Sequence, residues 1–129
     1  MPGQRKKILV VDDDHAIRRL VATVARKSGY ATSEASDGAH ALEIMEEETF
    51  DLLILDLMLP RVSGHEVLER LDPGRGCAVI ILTAAGDHDL EELDSRLICA
   101  IIRKPFDIFD LEKSIVAALE SGSATEIVS

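Results

Sequence analysis

The strongest constraint on the fold is a set of short, almost wholly apolar runs that each stop at a polar residue. ILVV at 8–11 stops at Asp12, LLIL at 52–55 stops at Asp56, and CAVIIL at 77–82 stops at Thr83. Apolar runs of this length without alternation fit strands buried on both faces, as a parallel sheet requires. Between them lie segments with helical apolar spacing. Ile17, Leu20, Val21, Val24 and Ala25 mark a first helix, with Asp14 as its N-cap and Gly29 past its end. Ala41, Leu42 and Met45 mark a second, capped at Ser36 or Asp37. Residues 65–71 read as a short third helix and 87–93 as a fourth, and Ile108, Leu111, Ile115 and Leu119 line a last one. Strands are expected at 8–11, 30–34, 50–55, 77–82 and 98–102, with a turn at 73–76. Five alternating βα units predict an α/β fold: a doubly wound parallel sheet with helices on both faces.

A chain of 129 residues is one ordinary domain and needs no disulfide or metal staple to hold a core. The expected boundaries are a lead-in at 1–6, the domain at 7–121, and a flexible tail or linker start at 122–129. Arg5, Lys6 and Lys7 read as a solubilising lead-in. Aromatic residues make up only 3% of the chain and Trp is absent, so the core must be aliphatic. The net charge of -10 disfavours nucleic acid and anionic lipid, so no direct nucleic-acid contact is expected. The N-terminal MPGQRKK is not a signal peptide, and no stretch approaches the roughly 20 apolar residues of a membrane span. A cytoplasmic location is expected. Cys77 and Cys99 lack metal or redox spacing and are read as reduced core thiols, with a disulfide as the alternative.

Ligands of open α/β sheets bind beyond the C-terminal strand ends. Those ends carry Asp12 and Asp13, then Asp56, Thr83 and Lys104. Crowded carboxylates resist ionisation, and a bound cation relieves the conflict. Oxygen-only donors favour a hard ion such as Mg²⁺, with Mn²⁺ as a substitute. A metal, an ammonium and a hydroxyl around a carboxylate nucleophile suit in-line phosphoryl transfer. No glycine-rich phosphate loop follows the first strand, and neither His15 nor His88 has the partners that zinc demands.

Residues 7 to about 120 resemble the response-regulator receiver domains of two-component signalling, of the chemotaxis-regulator type. The resemblance rests on ILVVDDD at 8–14, LLILDLMLPRVSG at 52–64, LTA at 82–84 and RKPF at 103–106. It implies a flavodoxin-like five-stranded sheet of order 2-1-3-4-5. By resemblance, Asp56 is the phosphoacceptor. Asp13, Asp56 and the Met58 carbonyl touch the metal, and Asp12 holds a metal-bound water. Lys104 pairs with the phosphoryl group, Thr83 turns inward to bond it, and Ala84 lends its backbone N–H. Pro105 follows a cis peptide bond. The implied donor is a phosphohistidine on a sensor histidine kinase or a histidine phosphotransfer protein. An output domain or hybrid kinase in a longer chain, and a weak homodimer, are compatible with the resemblance.

Two departures stand out. The usual aromatic residue three positions before the lysine is Ile101, which is expected to stay packed, and ICA at 98–100 replaces the usual Gly-Ala. The rival readings are a docking module that does not use phosphorylation, a Mg²⁺-dependent aspartyl-phosphate phosphatase, and a flavodoxin-like cofactor binder. The phosphatase needs a second Asp where Met58 stands, and the cofactor binder needs a phosphate loop where aspartates stand.

Overall fold

In a computed structural model, the described residues are 5–72, 74, 76–84, 86, 90, 93, 96–120 and 126–128. The chain runs β1 (Lys7–Val11), α1 (His15–Lys27), β2 (Ala31–Ala35), α2 (Gly38–Glu47), β3 (Leu52–Leu55) and α3 (Gly64–Glu69). It continues through β4 (Ala78–Thr83), β5 (Ile98–Arg103), α4 (Ile108–Glu120) and β6 (Glu126–Val128). All strand pairs are parallel, and the sheet order is β2-β1-β3-β4-β5-β6. The five-stranded arrangement 2-1-3-4-5 is therefore present, with flanking helices and a flavodoxin-like topology.

One strand was not anticipated. The segment 122–129 reads as a flexible tail, yet Glu126–Val128 pairs with β5 through Ala100, Ile101 and Ile102. Three residues are too few for periodicity to show. The unpaired N–H and C=O groups of the β5 edge supply the pairing that no local pattern reveals. The helix expected at 87–93 falls mostly on residues outside those described.

Alternation along the strands divides the core between two faces. Ile8, Val10, Leu52, Ile54, Ile80 and Ile102 pack under α1 and α4. Leu9, Val11, Leu53, Leu55, Ile81 and Ile101 pack on the side of α2 and α3. Ile101 is buried, as expected for an aliphatic side chain with no polar tip. Cys77 belongs to one face and Cys99 borders the other, and both are free thiols. Burial pushes the Cys77 thiol up to about 12, with Asp51 and Cys99 adding to the effect. No described helix is long and apolar enough to cross a membrane.

Local chemistry sets the helix starts. The Asp14 side chain accepts from the Ile17 N–H, and Asp37, not Ser36, accepts from His40. Ser63 caps α3 through the Glu66 N–H, a cap unread in the sequence. Gly29 follows α1 with φ of 99°, a left-handed conformation that glycine adopts without penalty.

Candidate functional site

The register of the sheet brings the site together. Val11 pairs with Leu55, so the next residues of β1 and β3 are Asp12 and Asp56, side by side on one edge. The Asp56 N–H donates to the Val11 carbonyl at 3.0 Å. Thr83 pairs with Arg103, and the Lys104 N–H donates to the Thr83 carbonyl at 3.0 Å. Four strand ends thus deliver their polar residues to one place.

The side chains then contact each other. Lys104 Nζ lies 2.7 Å from Asp12 Oδ2 and 3.0 Å from Asp56 Oδ2. Thr83 Oγ1 donates to Asp56 Oδ1 at 2.8 Å, and the Met58 N–H donates to the same oxygen at 3.0 Å. The Asp14 N–H donates to Asp12 Oδ1 at 2.9 Å. Asp12, Asp56 and Thr83 are buried, whereas Asp13, Met58 and Ala84 are exposed. Carboxylate oxygens of Asp12, Asp13 and Asp56 lie within 4.8 Å of one another.

Thr83 faces inward and bonds Asp56. Lys104 bridges two carboxylates. It therefore compensates buried negative charge. Burial raises the pKa of Asp12 despite the opposing contact with Lys104. Burial works against charge on Lys104, but its hydrogen bonds to Asp12 and Asp56 outweigh that and raise its pKa. The ammonium stays charged at neutral pH. The Lys104–Pro105 peptide is cis, as the resemblance implies.

The arrangement fits a divalent cation. Its donors are oxygen only, and one of three carboxylates is exposed, which leaves room for water. The Asp cluster is positioned like the phosphoaccepting, metal-binding site typical of receiver domains.

The response regulator receiver domain family matches residues 8–116. The chain belongs to that family. It is 38% identical over 113 residues to sporulation initiation phosphotransferase F of Bacillus subtilis, covering 85% of this chain and 90% of that protein. A CheY-like receiver domain protein from Methanospirillum hungatei superposes with a TM-score of 0.82 at 31% identity, covering 92% of this chain and 97% of the other. TrrA of Thermotoga maritima, solved in complex with Mg(2+)-BeF, gives 0.75 at 32% identity over 85% of this chain and 96% of that one. The chain spans only about half the length of the probable transcriptional regulators that it also matches. As a receiver domain, it is of the kind that partners with histidine kinases and histidine phosphotransfer proteins.

Some residues at this site escaped the sequence reading. Gly64 sits where a Cβ would collide with the Asp56 carbonyl and lie 2.6 Å from Leu57 Cα. Its role is close approach, which lets α3 begin directly against the acceptor segment. Gly38 is equally tight against the Val62 carbonyl. Both glycines are visible in the sequence, but the backbone that crowds each is remote in the chain or folded back by the intervening loop.

Proposed function

We propose that Asp56 accepts a phosphoryl group from a phosphohistidine donor, and that the aspartyl phosphate alters the surface around the site. The observation that supports this most directly is the burial of Asp56 between Lys104 and Thr83 at the shared edge of four strands. The Thr83 hydroxyl and the Met58 N–H both hold Oδ1, and Lys104 holds Oδ2. A carboxylate oxygen of Asp56 is the nucleophile. It forms the new O–P bond as the P–N bond of the donor breaks. Lys104 neutralises the incoming negative charge, Thr83 donates to a phosphoryl oxygen, and the Ala84 N–H donates to another. Asp13, Asp56 and the Met58 carbonyl would hold Mg²⁺ directly, with Asp12 through water, and Mn²⁺ would substitute. When bound, the metal supplies neutralisation of charge on the phosphoryl oxygens.

The donor is a sensor histidine kinase or a histidine phosphotransfer protein in the cytoplasm. The domain is taken as 7–121, and an output domain or a hybrid kinase would lie elsewhere in a longer chain. Intact mass and peptide mapping after acetyl phosphate treatment test the reading. One phosphoryl group should appear on Asp56, require Mg²⁺, and vanish in Asp56→Asn. A label on another residue of the unsubstituted protein would overturn the assignment.

A further inference from the structure

Arg18, on α1, lies outside the acid cluster, yet its guanidinium makes three hydrogen bonds: to the loop after β1, to β2 and to the start of its own helix. Its NH1 donates to the Asp12 main-chain carbonyl at 3.0 Å. Its Nε donates to Glu34 Oε1, on β2, at 3.1 Å. Its NH2 lies 2.9 Å from Nδ1 of His15, the first residue of α1. A guanidinium can only donate, so in this contact the ring nitrogen is the acceptor. The Arg18 side chain is only 14% exposed, so water competes little for these bonds.

The contact with Asp12 matters because of which peptide it grips. The Asp12 carbonyl and the Asp13 N–H belong to one rigid planar unit. Its orientation governs where Asp13 stands relative to Asp12. The other polar atoms of Asp12 have partners from the site itself or from β2. The N–H donates to the Ala35 carbonyl at 3.2 Å, Oδ1 accepts from Asp14, and Oδ2 accepts from Lys104. The carbonyl is held by Arg18. Glu34 and His15 in turn hold the guanidinium against rotation.

We infer that Arg18 is a positioning residue for metal binding: it locks the peptide between Asp12 and Asp13 so that the two carboxylates are pre-aligned for a divalent cation. This rests on the reading of Asp12, Asp13 and Asp56 as a metal site. Lysine cannot reproduce the effect, because one ammonium on a flexible stem cannot span three partners in a plane.

The competing idea is purely electrostatic, and it predicts the opposite sign. A cation near the acid cluster repels a metal ion, so its removal should tighten binding. Positioning predicts that removal weakens binding even though a repulsive charge is lost. Mg²⁺ alone is the probe, titrated into the full chain and followed by backbone amide NMR, with a melting curve in EDTA as the folding control. Supporting residues around metal ligands are typically worth about 10- to 100-fold in affinity. Arg18→Gln and Arg18→Lys should both raise the Mg²⁺ Kd about tenfold. Glu34→Asp keeps the charge but draws the carboxylate back from Arg18 Nε, and should raise it by a smaller factor, where a purely electrostatic effect predicts no change. It also keeps the question answerable if the Arg18 variants fail to fold. Unchanged affinity in Arg18→Lys, tighter binding in Arg18→Gln, or unchanged affinity in Glu34→Asp where the Arg18 variants are unfolded would each overturn the inference. An unsubstituted protein that binds no Mg²⁺ would instead overturn the metal site on which the inference rests.

Discussion

Replacing Lys104 with Met keeps most of the side-chain volume and removes the ammonium from between two buried carboxylates. The ammonium stands 2.7 Å from Asp12 and 3.0 Å from Asp56. At an effective dielectric of about 20, each contact has a gross attraction of roughly 6 kcal/mol. Desolvation of three buried groups cancels most of that sum. The cost of the substitution is instead set by what remains: two carboxylates, 3% and 6% exposed, with no cation between them. Breaking such a group by removing one partner costs about 3–5 kcal/mol. Because Lys104 is itself 14% exposed, the lower end of that range is expected, about 3 kcal/mol. Urea unfolding of both proteins at pH 8 measures it. In EDTA the full loss should appear. In saturating Mg²⁺ the loss should shrink, because a metal at the same carboxylates replaces the missing charge. Lys104→Met should also lose much of the stabilisation that beryllofluoride confers on the unsubstituted protein. A loss below 1 kcal/mol in EDTA, or one indifferent to Mg²⁺, would refute the view that Lys104 neutralises the acid cluster before phosphorylation.

Other consequences follow from the same structure. Gly64→Ala forces a Cβ against the Asp56 carbonyl, so stability should fall by about 1–3 kcal/mol and phosphorylation by acetyl phosphate should slow; unchanged melting and labelling would show that the loop yields freely. Tyr30, the single tyrosine, is pushed up to about 12 by burial and by its bond to Glu120. A raised folded pKa means that its stabilisation is complete below the ordinary value of 10.0 and fades as pH rises through about 12. The phenolate absorbance should therefore titrate near 12, and a midpoint near 10 would refute the burial argument. Cys77, also pushed up to about 12 from an ordinary 9.0, should alkylate at pH 8 about a thousandfold more slowly than an unperturbed thiol; peptide mapping after iodoacetamide checks this, and comparable rates would refute it.

Much of the fold was legible because the sheet is covered on both faces. ILVV, LLIL and CAVIIL had to be buried strands, and their polar stops had to lie at one edge. Asp12, Asp13, Asp56, Thr83 and Lys104 were legible as candidates for the same reason, since topology alone puts consecutive strand ends together. Boundaries were less so. β2 begins at Ala31, one residue late, and its mostly half-buried pattern at the outer edge of the sheet explains the weak signal.

What the tertiary structure decided were contacts between residues distant in the chain. No pattern in the sequence says that Lys104 bridges Asp12 and Asp56, or that Thr83 bonds Asp56. Those geometries depend on register and rotamer, which a string of residues does not encode one position at a time. Gly64 against Asp56 depends on how the intervening loop folds back, and Arg18 on Asp12 depends on the packing of α1 against β1. The strand at 126–128 exists because β5 had a free edge to receive it. Hydrophobic period and residue type act locally and can be read along the chain. Hydrogen bonds between remote groups need two surfaces already in place, and only the folded sheet supplies both.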